Sequence, residues 1–235
     1  LEEKVGQMNQ LPGFDPSFEP LIRKGLVGSF IDVHGEENTS RFQRLAVEKS
    51  RLGIPLLFGY DVIHGYKTTF PIPLAEAASW DPDGAERAAR VAAKEAAAAG
   101  IRWTFAPMVD IARDPRWGRV AEGAGADPCL GSAFARARVR GFQGRDMSAP
   151  DSVAACVKHF AAYGLPEGGR DYFTVDMSVK SLRETYLPPY RAAVDAGVET
   201  VMSAFNDLNG VPASANAFLL RQVLRKEWGF EGMVV

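Results

Sequence analysis

Six apolar runs recur along the chain and alternate with longer segments of helical periodicity. The runs are apolar almost throughout, which is typical of strands buried on both faces, as in a parallel sheet. Repeated strand and helix units of this kind predict an α/β fold. The predicted strands are "LVGSFIDV" (26–33), "PLLFGYDV" (55–62), "WTFAPMVD" (103–110), "VAACVKHF" (153–160), "ETVMSAFN" (199–206) and "GMVV" (232–235).

The segments between these strands predict five helices, several with recognisable end signals. Asp81 is a candidate cap for one helix start, and Gly100 marks its end. Ser181 and Glu184 have the spacing of a capping box, and Asn38 is a candidate helix-start cap. The predicted helices cover 37–53, 81–100, 131–144, 181–197 and 216–229.

Polar or charged side chains stand at the ends of most predicted strands. In a (β/α)8 barrel the carboxyl ends of the strands form the active-site face, so this pattern favours a barrel. A doubly wound sheet is the alternative, but the chain lacks its Gly-x-Gly-x-x-Gly turn. Since six strands are recognised, we expect a TIM-type barrel over residues 1–235 that is truncated after about the sixth strand. The strand-end residues are Asp32, Asp61, Asp110, Lys158 with His159, and Asn206.

Composition narrows the possible functions. The 235 residues are 46% hydrophobic and 24% charged with a formal net charge of −2, so no basic surface for nucleic acid is expected. No apolar run approaches the roughly 20 residues that span a bilayer, so no membrane partner is expected. The two cysteines exclude a disulfide framework. The three histidines, His34, His64 and His159, lack ligand spacing, so we expect no metal and no cofactor.

The adjacent residues Lys158 and His159 interrupt the apolar run 153–160. Neighbouring side chains of a regular strand point to opposite faces. Both could reach one pocket only if the strand becomes irregular there, through a bulge or a non-proline cis bond. The alternative keeps one at the barrel rim and the other as a hydrogen-bonded core group.

Three other segments carry candidate binding groups. Asp61 in "GYDVIHG" suits sugar hydroxyls because a carboxylate accepts several hydrogen bonds, although a loop cap is an equal alternative. Arg116 and Arg119 offer planar donor forks to carboxylates or vicinal diols. The alternatives are an exposed basic loop that pairs with Glu122 and Asp127, or a buried arginine that holds another acid in place. The Gly-rich segment 164–178 has the character of a loop that covers a site.

These motifs together resemble the N-terminal barrel of glycoside hydrolase family 3, in its bacterial periplasmic β-glucosidase branch. The resemblance implies an exo-acting retaining β-glucosidase that hydrolyses terminal non-reducing β-D-glucosyl residues. It also implies a periplasmic or secreted location, although no signal peptide is visible in this chain. The motifs are "GYDVIHG", "TTFPIPLAEAASWDP", "FAPMVDIARDPRWGRVAEG", "VKHFAAYG", "GGRDYFTVDMS", "LPPYRAAVDAG", "NDLNGVPASAN" and "LLRQVLRKEWGFEGMVV".

The resemblance assigns roles to individual residues. It implies that the nucleophile is the Asp of a Ser-Asp pair just beyond Val235, and that the acid/base belongs to a C-terminal α/β sandwich domain. No catalytic carboxylate is therefore expected within the chain, and its expected partners are that domain and small-molecule β-glucosides or oligosaccharides. Four matched residues grip one sugar and a fifth lines the same subsite: Asp61, Arg119, Lys158, His159 and, as the lining residue, Met202.

The chain departs from the family pattern at two places. Phe205 stands where some members have a Tyr that contacts the nucleophile, and "EGAGADPCL" lacks an aromatic and an acid near Ala124 and Ala126. Two alternative functions stay open. One is a β-xylosidase or a mixed-specificity glycosidase of the same family. The other is a non-catalytic sugar-binding barrel.

Overall fold

The computed structural model describes all residues 1–235 and contains one parallel sheet of seven strands. Each strand pairs with the next strand of the sheet along the chain, and a two-stranded antiparallel hairpin precedes the last one. The parallel strands are β1 Gln10–Pro12, β2 Ser29–Ile31, β3 Leu57–Tyr60, β4 Trp103–Thr104, β5 Ala154–Phe160, β6 Thr200–Ser203 and, after the hairpin of β7 Asp207–Leu208 with β8 Val211–Pro212, β9 Met233–Val234.

Helices follow the strands and cover the outside of the sheet. The α-helices are α1 Glu2–Gly6, α2 Glu19–Arg23, α3 Glu36–Lys49, α4 Pro73–Ala77, α5 Pro82–Ala98, α6 Pro128–Gln143, α7 Val179–Ser181 and α8 Pro188–Asp195. Two segments are π-helical, Leu182–Tyr186 and Phe218–Glu227. Four are 3-10 helical: Pro16–Phe18, Gly118–Glu122, Glu167–Gly169 and Ala213–Ala215.

The predicted barrel class is confirmed, with a correction to the number of strands. Strands in chain order with parallel pairing curl into an open barrel, whereas a doubly wound sheet would reverse its strand order. The structure has seven barrel strands, not six. The strand missed from the sequence, β1, is only three residues long and ends in Pro12, so it carries no recognisable apolar run. The strand with Lys158 is therefore the fifth.

The predicted helix ends are correct in one helix and wrong in two others. Asp81 accepts a hydrogen bond from the N–H of Gly84 at 2.8 Å and caps α5 as predicted. The cap of α7 is Ser178, whose side chain accepts a hydrogen bond from the N–H of Ser181. The predicted helix start at Ser181 is therefore one turn too late. Asn38 lies inside the first turn of α3, because that helix begins at Glu36.

Small residues bring the helices close to each other and to the sheet. Alanines of α5 pack against α6, and at Gly141 a Cβ atom would lie 2.5 Å from the carbonyl oxygen of Glu86. Beneath them Trp103 Nε1 donates to Thr200 Oγ1 at 2.8 Å, and that hydroxyl donates to the carbonyl of Ala155. These buried bonds join β4, β5 and β6, so the strand that carries Lys158 is held on both sides.

Candidate functional site

An open cavity of about 500 Å³ lies at the carboxyl ends of the barrel strands. All five residues assigned from the sequence line it: Asp61, Arg119, Lys158, His159 and Met202. The same cavity is lined by Gln10, Ile31, Ile63, Phe105, Glu122 and Phe205. Strands β1, β2, β5 and β6 and the segments that follow β3 and β4 thus contribute to one site from positions spread over almost 200 residues of sequence.

The irregular strand predicted at Lys158 and His159 is present. The peptide bond between the two residues is cis, as is the bond between Phe160 and Ala161. The pairing of β5 with β6 shifts register between Val157 and Phe160. Both side chains line the same cavity, although His159 is also a buried group hydrogen-bonded to Asp110, as the alternative had it.

Lys158 and Asp61 form an ion pair at the floor of the cavity. Lys158 Nζ donates to Asp61 Oδ1 at 2.8 Å. The lysine side chain is only 4% exposed, whereas the aspartate is 48% exposed. The carboxylate of Asp61 stabilises the charged form of the buried Lys158 side chain. Asp61 also keeps free acceptor positions toward the solvent. The loop-cap alternative for Asp61 has no support, since its side chain bonds to Lys158.

Arg119 forms a two-bond ion pair with Glu122 across the 3-10 helix 118–122. Its Nε donates to Glu122 Oε1 at 2.6 Å and its Nη2 donates to Oε2 at 2.9 Å. The guanidinium also lies 5.5 Å from the ring centroid of Tyr163. Burial alone would raise the pKa of Glu122, but its bonds and charge interaction with Arg119 lower that pKa overall. Glu122 therefore stays charged inside the cavity. The sequence did not predict that Glu122 lines this cavity.

Arg116, the other candidate arginine, points away from the cavity. Its guanidinium pairs with Asp114 at 2.6 Å, and its side chain is 72% exposed. The residue pattern alone left both arginines as candidates, the resemblance implied Arg119, and only Arg119 lines the cavity.

Behind the cavity, a buried carboxylate holds His159. Asp110 Oδ2 accepts a bond from the backbone N–H of His159 at 3.1 Å and from its Nδ1 at 2.9 Å. The hydroxyl of Tyr190, from α8, donates to Asp110 Oδ1 at 2.5 Å. Burial lowers the pKa of His159 by more than Asp110 raises it. The sequence identified Asp110 as a strand-end residue. It gave no local signal that Tyr190 contacts Asp110, because Tyr190 belongs to α8 outside the barrel.

The segment 164–178 borders the cavity through aromatic contacts. Asp171 accepts hydrogen bonds from Trp117 Nε1 at 2.8 Å and from the hydroxyl of Tyr163. The ring of the next residue, Tyr172, packs edge-on against Phe205 with centroids 5.2 Å apart. Phe205 itself faces the cavity and has no hydroxyl to offer, as its identity implied.

Two further observations concern membrane-spanning helices and metal-binding side chains. No helix has both the length and the apolar character that crossing a membrane requires. No three His, Cys, Asp or Glu side chains are grouped so that they could hold a metal ion.

An open (β/α) barrel with charged side chains gathered at its strand ends is the architecture of a barrel enzyme's active-site domain. The whole chain, residues 1–235, matches the model of the glycosyl hydrolase family 3 N-terminal domain, and the chain belongs to this family. The resemblance inferred from the motifs is thereby confirmed.

Curated relatives share the sequence over nearly the whole chain. A periplasmic β-glucosidase of Salmonella typhimurium is 45% identical, and the match covers 100% of this chain and 31% of the relative. An exo-1,4-β-xylosidase of Emericella nidulans is 39% identical over 97% of this chain and 33% of the relative. The chain therefore spans about a third of the length of these relatives.

Solved structures show the same fold. The β-glucosidase of Listeria innocua in complex with glucose superposes with a TM-score of 0.93 at 44% identity, covering 100% of this chain and 35% of that one. An exo-1,3/1,4-β-glucanase of a Pseudoalteromonas species has a TM-score of 0.90 at 33% identity, over 99% of this chain and 32% of that one.

Proposed function

We propose that the full-length gene product is an exo-acting retaining β-glucosidase and that this chain grips the terminal glucosyl residue. The substrates are β-glucosides or short β-gluco-oligosaccharides. One observation carries the proposal: Asp61, Arg119, Lys158 and His159 converge on one open cavity. The β-glucosidase names of the Salmonella and Listeria relatives agree with it.

The cavity offers the polar groups that a sugar requires. Lys158 and Arg119 are donors, while Asp61 and Glu122 are acceptors, so hydroxyls can be bound through both their oxygen and their proton. Met202 and Phe205 add apolar surface for the less polar face of the ring. The two cations balance nearby carboxylates, and hydrogen bonds to ring hydroxyls strengthen as the oxocarbenium-like transition state forms.

The carboxylates that perform the reaction belong to the proposal as well. A retaining glycosidase needs two carboxyl groups about 5–5.5 Å apart. We assign the nucleophile to an Asp just beyond Val235 and the acid/base to a C-terminal α/β sandwich domain, with residues 1–235 forming the incomplete N-terminal barrel. Strand β9 runs parallel to β6, so the residues after it approach the same face as the cavity. We also propose a periplasmic or secreted location for the protein, because the Salmonella relative is named a periplasmic β-glucosidase.

A β-xylosidase or a mixed-specificity enzyme is the second candidate. Relatives of Emericella nidulans and Formosa agariphila that bear the name β-xylosidase are 39% and 38% identical to this chain. Glucose and xylose differ in the exocyclic hydroxymethyl group. The surface near that group therefore decides between the two substrates.

Kinetics of the full-length gene product test the proposal. We expect kcat/KM to be higher for an aryl β-glucoside than for the matching aryl β-xyloside, with β-glucose as the first product seen by NMR. A preference for the xyloside would select the second candidate, and α-glucose as first product would exclude retention. Glucose binding without hydrolysis would indicate a non-catalytic sugar-binding barrel. Sequencing beyond Val235 provides an independent check, since Ser-Asp is expected as the next pair.

A further inference from the structure

The carboxylate of Asp110 is surrounded by hydrogen-bond donors. Oδ2 lies 3.1 Å from the backbone nitrogen of His159 and 2.9 Å from its Nδ1, and Oδ1 lies 2.5 Å from the Tyr190 hydroxyl. The side chain of Asp110 has no exposed surface, and that of His159 is 1% exposed. A carboxylate only accepts hydrogen bonds, so the ring nitrogen that faces it carries a proton.

The second ring nitrogen of His159 is free. Nε2 makes no hydrogen bond within the protein, and the one buried side-chain nitrogen or oxygen atom without a partner is Asn206 Oδ1. Nε2 is therefore not sealed inside the fold. His159 lines the cavity, so this nitrogen is the atom that the ring offers to a ligand.

The surroundings favour a neutral ring. Burial lowers the pKa of His159, and the positive charges of Arg119 and Lys158 act in the same direction against the effect of Asp110. The other charged groups of the cavity, Asp61 and Glu122, are already paired with Lys158 and Arg119. The aromatic neighbours Tyr163 and Phe205 bring no charge to the ring.

We propose that Asp110 is a positioning residue that keeps His159 in the Nδ1–H tautomer, so that Nε2 accepts a hydrogen bond from one hydroxyl of the bound sugar. The sugar contact rests on the function proposed above. Lys158 and Arg119 can only donate, so they recognise a hydroxyl by its oxygen. His159 recognises a hydroxyl by its proton, as Asp61 and Glu122 do, but through a neutral ring nitrogen whose position Asp110 fixes.

Tyr190 completes the arrangement from outside the barrel. Its hydroxyl lies 2.6 Å from the carbonyl oxygen of His159 as well as 2.5 Å from Asp110 Oδ1, and its single proton serves one of these acceptors at a time. Its ring packs edge-on against Phe160. Helix α8 thereby fixes both the carboxylate and the backbone next to the imidazole.

Nitrogen-15 NMR of the full-length gene product, with labelled histidine, tests the tautomer directly. His159→Gln assigns the signal. At pH 7 we expect a protonated Nδ1 and an unprotonated Nε2. A protonated Nε2, alone or together with Nδ1, would overturn the proposal. No sugar is needed, so this measurement decides the tautomer even when the proposed function is wrong.

Substitution of Asp110 tests its positioning role. In Asp110→Leu the Nδ1 proton loses its acceptor, so we expect signals of both tautomers and weaker glucose binding. Asp110→Asn retains an oxygen that can accept from both N–H groups of His159, and we expect it to restore the single tautomer. Tyr186→Phe controls for the loss of a polar group elsewhere in the core, because Tyr186 is buried but makes no hydrogen bond to Asp110 or His159. An unchanged tautomer in a folded Asp110→Leu variant would contradict the positioning role.

Calorimetry at pH 7 tests the sugar contact. The ligands are D-glucose and its deoxy and deoxyfluoro analogues at C3, C4 and C6; fluorine can accept weakly but cannot donate. At one position we expect both analogues to bind about tenfold weaker than glucose, since each leaves the acceptor unsatisfied, and we expect this difference to disappear in His159→Leu, which separates His159 from the other acceptors Asp61 and Glu122. The contact would be overturned if every fluoro analogue bound better than its deoxy partner. Absence of glucose binding together with the Nδ1–H spectrum would refute the sugar contact and the proposed function, but not the tautomer.

Discussion

Lys158 and Asp61 are 97 positions apart in the sequence, yet Lys158 Nζ lies 2.8 Å from Asp61 Oδ1. The pair is unequal, because the ammonium is buried and the carboxylate is half exposed. Asp61 therefore serves two purposes at once. It neutralises a buried charge and presents its remaining acceptor positions to whatever occupies the cavity.

Asp61→Ala in the full-length gene product is expected to lower kcat/KM for aryl glucosides by orders of magnitude. The change removes a sugar acceptor and leaves Lys158 buried without its counter-charge, a situation that typically costs about 3–5 kcal/mol when both charges are buried and less here, where Asp61 is half exposed. Steady-state kinetics and urea unfolding measure the two effects separately.

The matched control is Asp32→Asn, which removes an exposed negative charge at the end of the neighbouring strand β2 and keeps a residue type that tolerates the left-handed backbone there. Asp32 makes no side-chain hydrogen bond, and its activity loss should stay within about twofold, as for most surface substitutions. An effect of Asp61→Ala below about threefold would exclude Asp61 from the site.

Arg119→Lys is expected to reduce kcat/KM at least about tenfold, because lysine cannot form the two parallel bonds to Glu122 and a further bond to the substrate. Arg116→Lys is the control. It changes the same residue type three positions earlier, in a solvent-screened ion pair with Asp114 that contributes little to stability. Equal losses in the two variants would show that the cavity does not distinguish Arg119.

Stability is expected to fall as the pH drops below about 6.5. The pKa of His159 is lowered in the folded protein by burial, so the unfolded chain binds its proton at a higher pH. Between the lowered pKa and the ordinary value of 6.5 the unfolded chain holds more protons, and the free energy of unfolding decreases with decreasing pH. Urea unfolding at several pH values from about 7.5 downward measures this slope.

His159→Gln should flatten that slope just below about pH 6.5, since glutamine does not titrate. The comparison variant is His34→Gln, which makes the same substitution at an exposed histidine outside the cavity. Identical slopes in the wild type and His159→Gln would mean that other groups produce the pH dependence.

Asp171→Ala is expected to destabilise the protein by about 1–3 kcal/mol, because the buried donors of Trp117 and Tyr163 lose their shared acceptor. Asp171→Asn keeps an oxygen and should recover part of the loss. The control is Asp176→Ala, in the same segment, whose exposed side chain makes no hydrogen bond. A loss as large in Asp176→Ala as in Asp171→Ala would show that the segment, not this bond, determines the stability.

The sequence alone predicted the fold class and five of the eleven residues that line the cavity. Long apolar runs predict parallel strands, because burial on both faces of a strand leaves a strong local pattern. The polar residues at the carboxyl ends of these runs predict the active-site face. The motifs around Asp61, Arg119, Lys158, His159 and Met202 then identified the lining of a single cavity. The prediction missed β1, whose three residues carry too little pattern to be recognised.

Tertiary structure alone decided how these side chains are oriented and which further residues join them in the site. Glu122 enters the cavity with Arg119, while Arg116, with the same chemistry, turns to solvent. Tyr190 reaches Asp110 across 80 positions of sequence. Such contacts join elements distant along the chain, and their geometry depends on how helices pack on the sheet. The local sequence shows which positions are buried. It does not show which distant residue pairs with a buried charge, because that depends on how the strands and helices pack.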